Sequence, residues 1–291
     1  SSYNGGRYWK DLENNRSNSG RIFGSTNITI TVASDTMRKQ FVSLCYMAKA
    51  YGTPGASYSY LDGNGVLQTT ELYQNPELRS AIFYGLEKSM TFFNYGAWDK
   101  QHTGHDSTTN YNWWDWTYGG QKEILESLII LTPFQSAKEQ EISDKMTATC
   151  LKLLDAIRPN NTGKTDNTSI GYRRVRLGVS PMIAALTKNT ALMEESLTNL
   201  VDFLEDDPSK RDGVKSDYSY ICHFYYPMEG TYGTDVLGNR IIGAYSVLAG
   251  TTFEPTTDLR KNQFRWIMET FRPVIHNGVL LAMNSGRFPN S

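Results

Sequence analysis

The chain has 291 residues, of which 39% are hydrophobic and 20% are charged, a composition typical of a folded protein with a sizeable core. Its 29 basic and 30 acidic side chains leave a formal net charge of −1, which argues against a general nucleic-acid-binding protein. The longest aliphatic run, residues 128–131, is far too short to span a bilayer. We therefore expect a globular protein that binds neither nucleic acid nor membrane.

Helices dominate the predicted secondary structure. Ser34 and Asp35 can cap a first helix that runs to about Ala50, and Asn75 precedes a second one with Pro76 at its first position. Further helices are predicted over residues 121–132, 135–158, 176–188, 190–205, 236–249 and 257–271. The loops between them are rich in Gly, Pro and Asn and lie chiefly at residues 99–112, 159–172 and 206–218.

Strands are expected to contribute little. A short extended piece is predicted at residues 27–32, and no sustained strand alternation is predicted after residue 33. Long helices joined by alternately short and long loops indicate helical hairpins packed side by side, either in an open solenoid or in a closed ring. No low-complexity linker divides the sequence, so we expect one domain over residues 1–291.

The cysteines and histidines do not indicate a metal site. Cys45, Cys150 and Cys222 have spacings that match no zinc pattern, and we expect buried thiols, although the sequence leaves open whether two of them pair. His102 and His105 lie in a polar loop without enough further ligands for a metal ion. Nucleotide-binding and serine-hydrolase motifs are also missing.

The densest aromatic site lies at residues 110–117, where Trp113, Trp114 and Trp116 fall within four positions. In a helix, Trp113 and Trp116 would share one face and Trp114 would point elsewhere, so one core cannot take all three. Exposed indoles beside Asn112 resemble a platform on which pyranose rings stack. The alternative is a hydrophobic latch between helices.

A second segment contains two side chains that are competent for proton transfer, His223 and Tyr232. They are nine residues apart and would face opposite ways on a continuous helix, but Pro227 and Gly230 exclude such a helix. The chain must therefore turn, which allows both side chains to meet at one cleft. The alternative is a core histidine and a buried tyrosine.

A third segment carries Arg173, Arg174 and Arg176 at a predicted loop–helix boundary. In a nearly neutral protein these three guanidinium groups create a local positive field, and their planar donors suit a carboxylate or a sulfate. The alternative is a solvated helix face.

Together these segments resemble the helical domain of the polysaccharide lyases that include hyaluronate, chondroitin AC and xanthan lyases. The Asn-Trp-Trp motif of that family matches residues 112–114, and its Asp-Gly-Ser-Phe-x-Gln-His run resembles residues 217–223. Its Tyr-Gly pair, nine residues after that His, matches residues 232–233, and its Ser-Gly-Arg motif matches residues 285–287. Four motifs thus occur in the family's order over about 175 residues.

The resemblance has two departures. The family's Thr-Gly-Ala-Asn-Arg motif supplies an Asn that contacts the uronate carboxylate, and here Arg173, beside Arg174, takes that position. An alternative match puts Thr165 there, with Asn167 close by. The chain also ends soon after its Ser-Gly-Arg motif, where family members continue into β-sandwich domains, so we expect a fragment or an unusually short relative.

The resemblance implies an all-α fold, an incomplete α/α toroid of helical hairpins. It also implies cleavage of a glycosaminoglycan-like polymer by β-elimination, with Tyr232 as general base and acid, His223 as a positioning group and Arg287 favouring the phenolate. Trp113 and Trp114, with Asn112, would hold sugar rings, and Arg173 or Asn167 would neutralise the carboxylate. A monomer without metal or cofactor is expected, secreted or periplasmic in a bacterium.

Two other functions are compatible with the sequence. A glycoside hydrolase on an α/α toroid needs two carboxylates, and Asp115, Asp212, Asp217 and Glu229 are available. A non-catalytic saccharide-binding helical domain would explain the missing Asn. A structural helical-repeat adaptor would leave the order of the His, Tyr and Arg motifs unexplained.

Overall fold

The computed structural model is predominantly helical over the residues that it describes. These are residues 34–90, 92–96, 98, 114–134, 136–156, 170–204, 213–222, 226–227, 233–234 and 243–281. By its contacts the chain divides into two compact units, Ser1–Leu153 and Leu154–Ser291. Within the described ranges, none of the helices combines the length and the apolar character needed to cross a bilayer.

The helices follow one another along the chain with few strands between them. They are α1 (Ser34–Gly52), α2 (Pro76–Ser89), α3 (Gly120–Leu131), α4 (Ala137–Ala156), α5 (Ile170–Thr187), α6 (Thr190–Leu204), α7 (Gly243–Leu248) and α8 (Thr257–Trp266). A π-helical turn, Asp115–Gly119, leads into α3, and another, Ile267–Phe271, continues α8. Short 3₁₀ turns lie at Thr132–Phe134 and Arg272–Val274.

The strands form three small antiparallel sheets. They are β1 (Ser57–Leu61), β2 (Leu67–Glu71), β3 (Gly213–Val214), β4 (Tyr220–Cys222), β5 (Tyr226–Pro227), β6 (Ile275–His276) and β7 (Val279–Leu280). β1 pairs with β2, β4 lies between β3 and β5, and β6 pairs with β7. Each sheet joins strands that are near neighbours in sequence, so the fold depends chiefly on helix packing.

The predicted helices are confirmed, with two differences in extent. α5 begins at Ile170, six residues before its predicted start at 176, so Arg173 and Arg174 lie in its first two turns. The described part of the helix predicted over 236–249 is the shorter α7.

The hairpin of β1 and β2 contradicts the prediction that no strand alternation follows residue 33. Ser and Tyr alternate along β1, and the register places Ser59 opposite Thr69, whose hydroxyls are 2.9 Å apart. The connecting turn is held by Asp62, whose carboxylate accepts hydrogen bonds from the backbone N–H groups of Asn64 and Val66. The extended piece predicted at residues 27–32 lies outside the described residues.

The core of the first unit forms where α1 packs against α3. The predicted apolar face of α1 is confirmed, since each of its members is at most 1% exposed: Phe41, Leu44, Cys45 and Ala48. Facing helix α3 buries Leu125 and Leu128 completely. Cys45 and Cys150 are free, buried thiols as predicted, and the side chain of Cys222 lies outside the described set.

The second unit is organised around the hairpin of α5 and α6. Asn189 caps the start of α6, because its side-chain oxygen accepts a hydrogen bond from the backbone N–H of Leu192 at 3.0 Å. α6 also contacts α8 and β3. The ring of Tyr220 on β4 lies 5.6 Å from that of Trp266 on α8, and both are buried.

A capping box begins α4 and links it to α2. The backbone N–H of Ser136 donates to Glu139 Oε2 at 2.6 Å, and the backbone N–H of Glu139 donates to the Ser136 hydroxyl at 3.4 Å. Arg79 of α2 forms a two-pronged ion pair with the same carboxylate, its Nε lying 2.9 Å from Oε1. Burial alone would raise the pKa of Glu139, but the hydrogen bonds from Arg79 and Ser136 outweigh it and lower that pKa.

Replacing Glu139→Gln should lower the free energy of unfolding by about 1.5–3 kcal/mol at neutral pH, because a largely buried, charge-assisted contact is lost. A carboxylate whose pKa is lowered on folding stabilises the fold above its unfolded pKa of about 4.3. That stabilisation disappears as the pH falls through the folded pKa, so the difference between the two proteins should shrink as the pH is lowered below the unfolded pKa. Urea unfolding at several pH values measures it.

Glu141→Gln is the matched control, because Glu141 is 62% exposed and forms its ion pair with Lys145 one turn away on the same helix. Its expected effect is much smaller than that of Glu139→Gln, because solvent and salt screen an exposed ion pair. Equal effects of the two substitutions would contradict a special role for Glu139.

Candidate functional site

Trp114 is the member of the predicted aromatic platform that the structure describes. It is partly exposed and immediately precedes the π-helical turn Asp115–Gly119. The ring of Tyr118 lies 5.3 Å from its ring at an angle of 51°. Asn112 and Trp113 lie outside the described residues. A partly exposed indole on a helical turn is a suitable surface for stacking a sugar ring.

Arg38 of α1 reaches this platform although no sequence motif singles it out. Its guanidinium carbon lies 5.6 Å from the centroid of the Trp114 ring, and its Nε lies 3.0 Å from Asp115 Oδ1. The contact between Arg38 Nε and Asp115 is an ion pair without hydrogen-bond geometry. Among the described residues, Nε has no hydrogen-bond acceptor. The Asp115 side chain is only 4% exposed, so its charge needs a nearby cation.

Trp116 points into the core, away from the side on which Trp114 is exposed. It is 2% exposed, and its ring stacks on Phe93 with centroids 5.7 Å apart and planes 14° apart. Residues two positions apart on a helical turn do not face the same side. The prediction that Trp114 and Trp116 diverge is therefore confirmed, which leaves Trp114 available as a surface group.

The chain turns back on itself between the two strands that flank the predicted His223 in sequence, as expected. β4 and β5 run antiparallel, with Cys222 opposite Tyr226, so a continuous helix through this region is excluded. His223 and Tyr232 themselves lie outside the described residues, and Gly233, which follows the tyrosine, is buried. Whether the two side chains meet stays a prediction.

The predicted carboxylate-binding residues are only partly described. The backbone of Arg173 and Arg174 belongs to the first two turns of α5, and their side chains are not described. Asn167 and Arg287 lie outside the described residues. The roles of these four residues therefore also remain predictions.

Of the four carboxylates that a glycoside hydrolase could use, the structure describes Asp115 and Asp217, and neither has the environment of a general acid. Asp115 is buried in its ion pair with Arg38. Hydrogen bonds from the side chain and the backbone N–H of Ser219 lower the pKa of Asp217. A general acid of a glycosidase needs a raised pKa. Asp212 and Glu229 lie outside the described residues.

Within the described residues, one group brings three potential metal ligands together, Cys45, Glu123 and Glu126, with ligand atoms within 4.8 Å of one another. Lys49 already pairs with Glu126 at 2.8 Å, and the thiol of Cys45 donates to the same carboxylate at 3.5 Å. Burial and, next, the charge of Glu126 raise the pKa of Cys45, so the thiol is protonated at neutral pH. These contacts indicate a structural cluster.

Comparison with known protein families identifies the family to which this helical chain belongs. The family model described as the N-terminal alpha-helical domain of polysaccharide lyase family 8 matches residues 7–288. The chain belongs to polysaccharide lyase family 8. The predicted resemblance and the predicted all-α fold class, the α/α toroid of these lyases, are both confirmed by that match.

Curated relatives of this family 8 domain are much longer proteins. It is 26% identical over 271 residues to hyaluronate lyase HylB of Enterococcus faecalis, a match that covers 87% of the chain and 24% of the relative. It is 24% identical over 280 residues to xanthan lyase of a Bacillus species, covering 96% of the chain and 26% of the relative. The chain thus spans about a quarter of the length of these relatives.

Solved structures share the fold of this family 8 domain. The Streptomyces coelicolor chondroitin AC lyase, solved in complex with chondroitin sulphate, matches with a TM-score of 0.64 and 20% identity over 86% of the chain and 30% of that structure. Paenibacillus xanthan lyase matches with a TM-score of 0.63 and 22% identity over 87% of the chain and 21% of that structure. At these identities the likeness establishes the fold.

The unequal burial of the two indoles has a measurable consequence. Trp116→Ala should lower the free energy of unfolding by about 3–5 kcal/mol, because it empties a core position. Trp114→Ala should cost only about 1 kcal/mol, the scale of a partly exposed cation–π contact. Urea unfolding of both variants provides the comparison, and equal losses would contradict the assignment of Trp114 to the surface.

Proposed function

We propose that this chain is the helical catalytic domain of a lyase that cleaves a uronic-acid-containing polysaccharide, such as hyaluronan or chondroitin, by β-elimination. The family match over residues 7–288 carries this proposal, because it includes all four motifs described above. The relatives named for hyaluronate, xanthan and chondroitin support an acidic polysaccharide as the substrate class.

The first step would be removal of the proton on C5 of the uronic acid. That proton is weakly acidic, because the adjacent carboxylate is negatively charged and opposes a second charge. Neutralising the carboxylate stabilises the enolate-like intermediate by an electrostatic effect that contributes several kcal/mol in enzymes. Arg173 or Asn167 would supply this neutralisation, with Arg174 adding positive charge.

Tyr232 would carry the proton through the reaction. Its phenolate takes the C5 proton, the C5–H electron pair forms the C4=C5 double bond, and the C4–O bond breaks towards the glycosidic oxygen. The phenol then protonates that oxygen. A tyrosine with an ordinary pKa near 10 needs help to act as a base, and the positive charge of Arg287 would favour its ionised form. His223, neutral, would position the sugar or share the transfer.

Asn112, Trp113 and Trp114 would bind sugar rings on either side of the bond that breaks. The partly exposed Trp114 supports this part of the proposal. This chemistry requires no metal ion or organic cofactor. Long polyanions do not cross membranes, so we propose a secreted or periplasmic bacterial enzyme that acts as a monomer.

Tyr232→Phe removes only the phenolic hydroxyl and should lower the rate of product formation by about 10²- to 10⁴-fold, the usual contribution of a general acid–base group. The measurement is the ultraviolet absorbance of the 4,5-unsaturated uronate formed from hyaluronan, chondroitin and xanthan. Tyr46→Phe is the matched control, because Tyr46 is 68% exposed on α1 and should retain full turnover. Full turnover by Tyr232→Phe would refute the proposed base.

The unsubstituted chain separates the other functions in the same assay. New reducing ends without the chromophore would indicate a glycoside hydrolase, and saccharide binding without product would indicate a binding domain. Either result would refute the lyase proposal.

Arg173→Ala should lower kcat/KM by at least about 10²-fold, because the intermediate loses a charge-assisted contact. Arg265→Ala, at a side chain that is 55% exposed on α8, is the control for a general loss of positive charge and should have less than about a tenth of that effect. Equal rates for Arg173→Ala and the parent protein would exclude Arg173 and leave Asn167 as the candidate.

A further inference from the structure

We propose that Arg38 is a positioning residue for the sugar-binding platform, and that its guanidinium, held by Asp115, fixes the orientation in which the Trp114 indole meets a sugar ring. This inference rests on the proposed role of Trp114 in substrate binding. Neither the sequence motifs nor the family match points to Arg38, which lies on α1, far upstream of the aromatic segment.

Two contacts of Arg38 act on adjacent residues. Its guanidinium carbon lies 5.6 Å from the Trp114 ring centroid, and its Nε lies 3.0 Å from the carboxylate of Asp115, the next residue along the chain. One side chain therefore holds both the indole ring and the backbone that carries it. The Asp115 side chain is 4% exposed, and an unpaired buried carboxylate is strongly unfavourable, so Arg38 is not free to swing into solvent.

Gly119 provides the space for this arrangement. A methyl group there would lie 2.6 Å from Cζ3 of Trp114 and 2.7 Å from Cδ of Arg38, closer than real side chains approach. The φ angle of Gly119 is −59°, an ordinary helical value, so the backbone does not require a glycine. The absence of a side chain is what allows the arginine stem and the indole to meet.

An indole whose orientation is already fixed binds a sugar more tightly than one that loses side-chain mobility when the sugar binds. Stacking requires one ring orientation, and immobilising a flexible side chain during binding reduces affinity. Because the platform contacts sugar rings and not the reacting atoms, loss of its order should weaken binding equally in the ground state and the transition state. Such a change raises KM and leaves kcat unchanged.

Two variants disturb the platform in different ways. Gly119→Ala keeps the charge of Arg38 and displaces the ring, whereas the double substitution Arg38→Met with Asp115→Asn removes the cation without leaving a buried charge. Each should raise KM for the acidic polysaccharide by about 2- to 10-fold with kcat unchanged. Arg38→Lys keeps the charge but not the planar guanidinium. Its affinity for the polysaccharide should lie between those of the parent protein and the double variant.

The orientation of the indole is measured separately by ¹⁹F NMR of protein labelled with 5-fluorotryptophan, in which Trp114→Phe identifies the Trp114 signal among those of the six tryptophans. We expect that signal to shift or broaden in both platform variants. In the control, Arg79→Met with Glu139→Gln, which removes the ion pair between α2 and α4, it should stay unchanged.

The outcomes separate the two proposals. A parent protein that neither binds nor cleaves acidic polysaccharide refutes the proposed function whatever the NMR spectra show. With an active parent, an unchanged Trp114 signal or an unchanged KM in Gly119→Ala overturns the role of Arg38. A loss of apparent kcat at constant KM also overturns it, since that result indicates less folded protein and no effect on the platform.

Discussion

The buried carboxylate of Asp115 is the constraint on which the described part of the aromatic segment depends. A negative charge that is 4% exposed requires a cation, and α1 supplies it through Arg38. This ion pair joins α1 to the turn that leads into α3, and the two helices are so close there that a methyl group at Gly120 would lie 3.2 Å from the Phe41 ring. The same contact therefore serves the packing of the unit and the placement of Trp114.

The π-helical turn Asp115–Gly119 explains how one short segment serves both the core and the surface. π-helical turns are rare in proteins, and those that occur often lie at functional sites. Here the turn follows the partly exposed indole of Trp114 and contains the indole of Trp116, which stacks on Phe93 inside the core. Trp116 anchors the segment, and Trp114 is left at the surface, with Arg38 over its ring.

Relatives named for hyaluronate, xanthan and chondroitin AC lyases all match this one helical domain, so the fold does not select the polymer. The position at which the chain departs from the family's motif is more informative. In the proposed alignment Arg173 takes the place of the family's asparagine, and it would meet the uronate carboxylate with a different charge and reach. Substrate choice is therefore expected to depend on the start of α5.

The sequence by itself determined the helices, the cap of α2 and the family. Asn75 with Pro76, and the apolar spacing along α1, are local signals that survive folding, because helical periodicity and capping involve residues within one or two turns. The hairpin Ser57–Glu71 carries a weaker signal in its alternating Ser and Tyr, because tyrosine is also common in a helical core.

The tertiary structure alone decided which indole is buried and which cation meets it. Trp114 and Trp116 have the same chemistry and nearly the same neighbours in sequence, so only their packing distinguishes them. Arg38 looks in the sequence like any solvated helix residue. Its contacts with Trp114 and Asp115 arise because two helices distant in the chain pack together, and no local pattern encodes an interaction between residues so far apart.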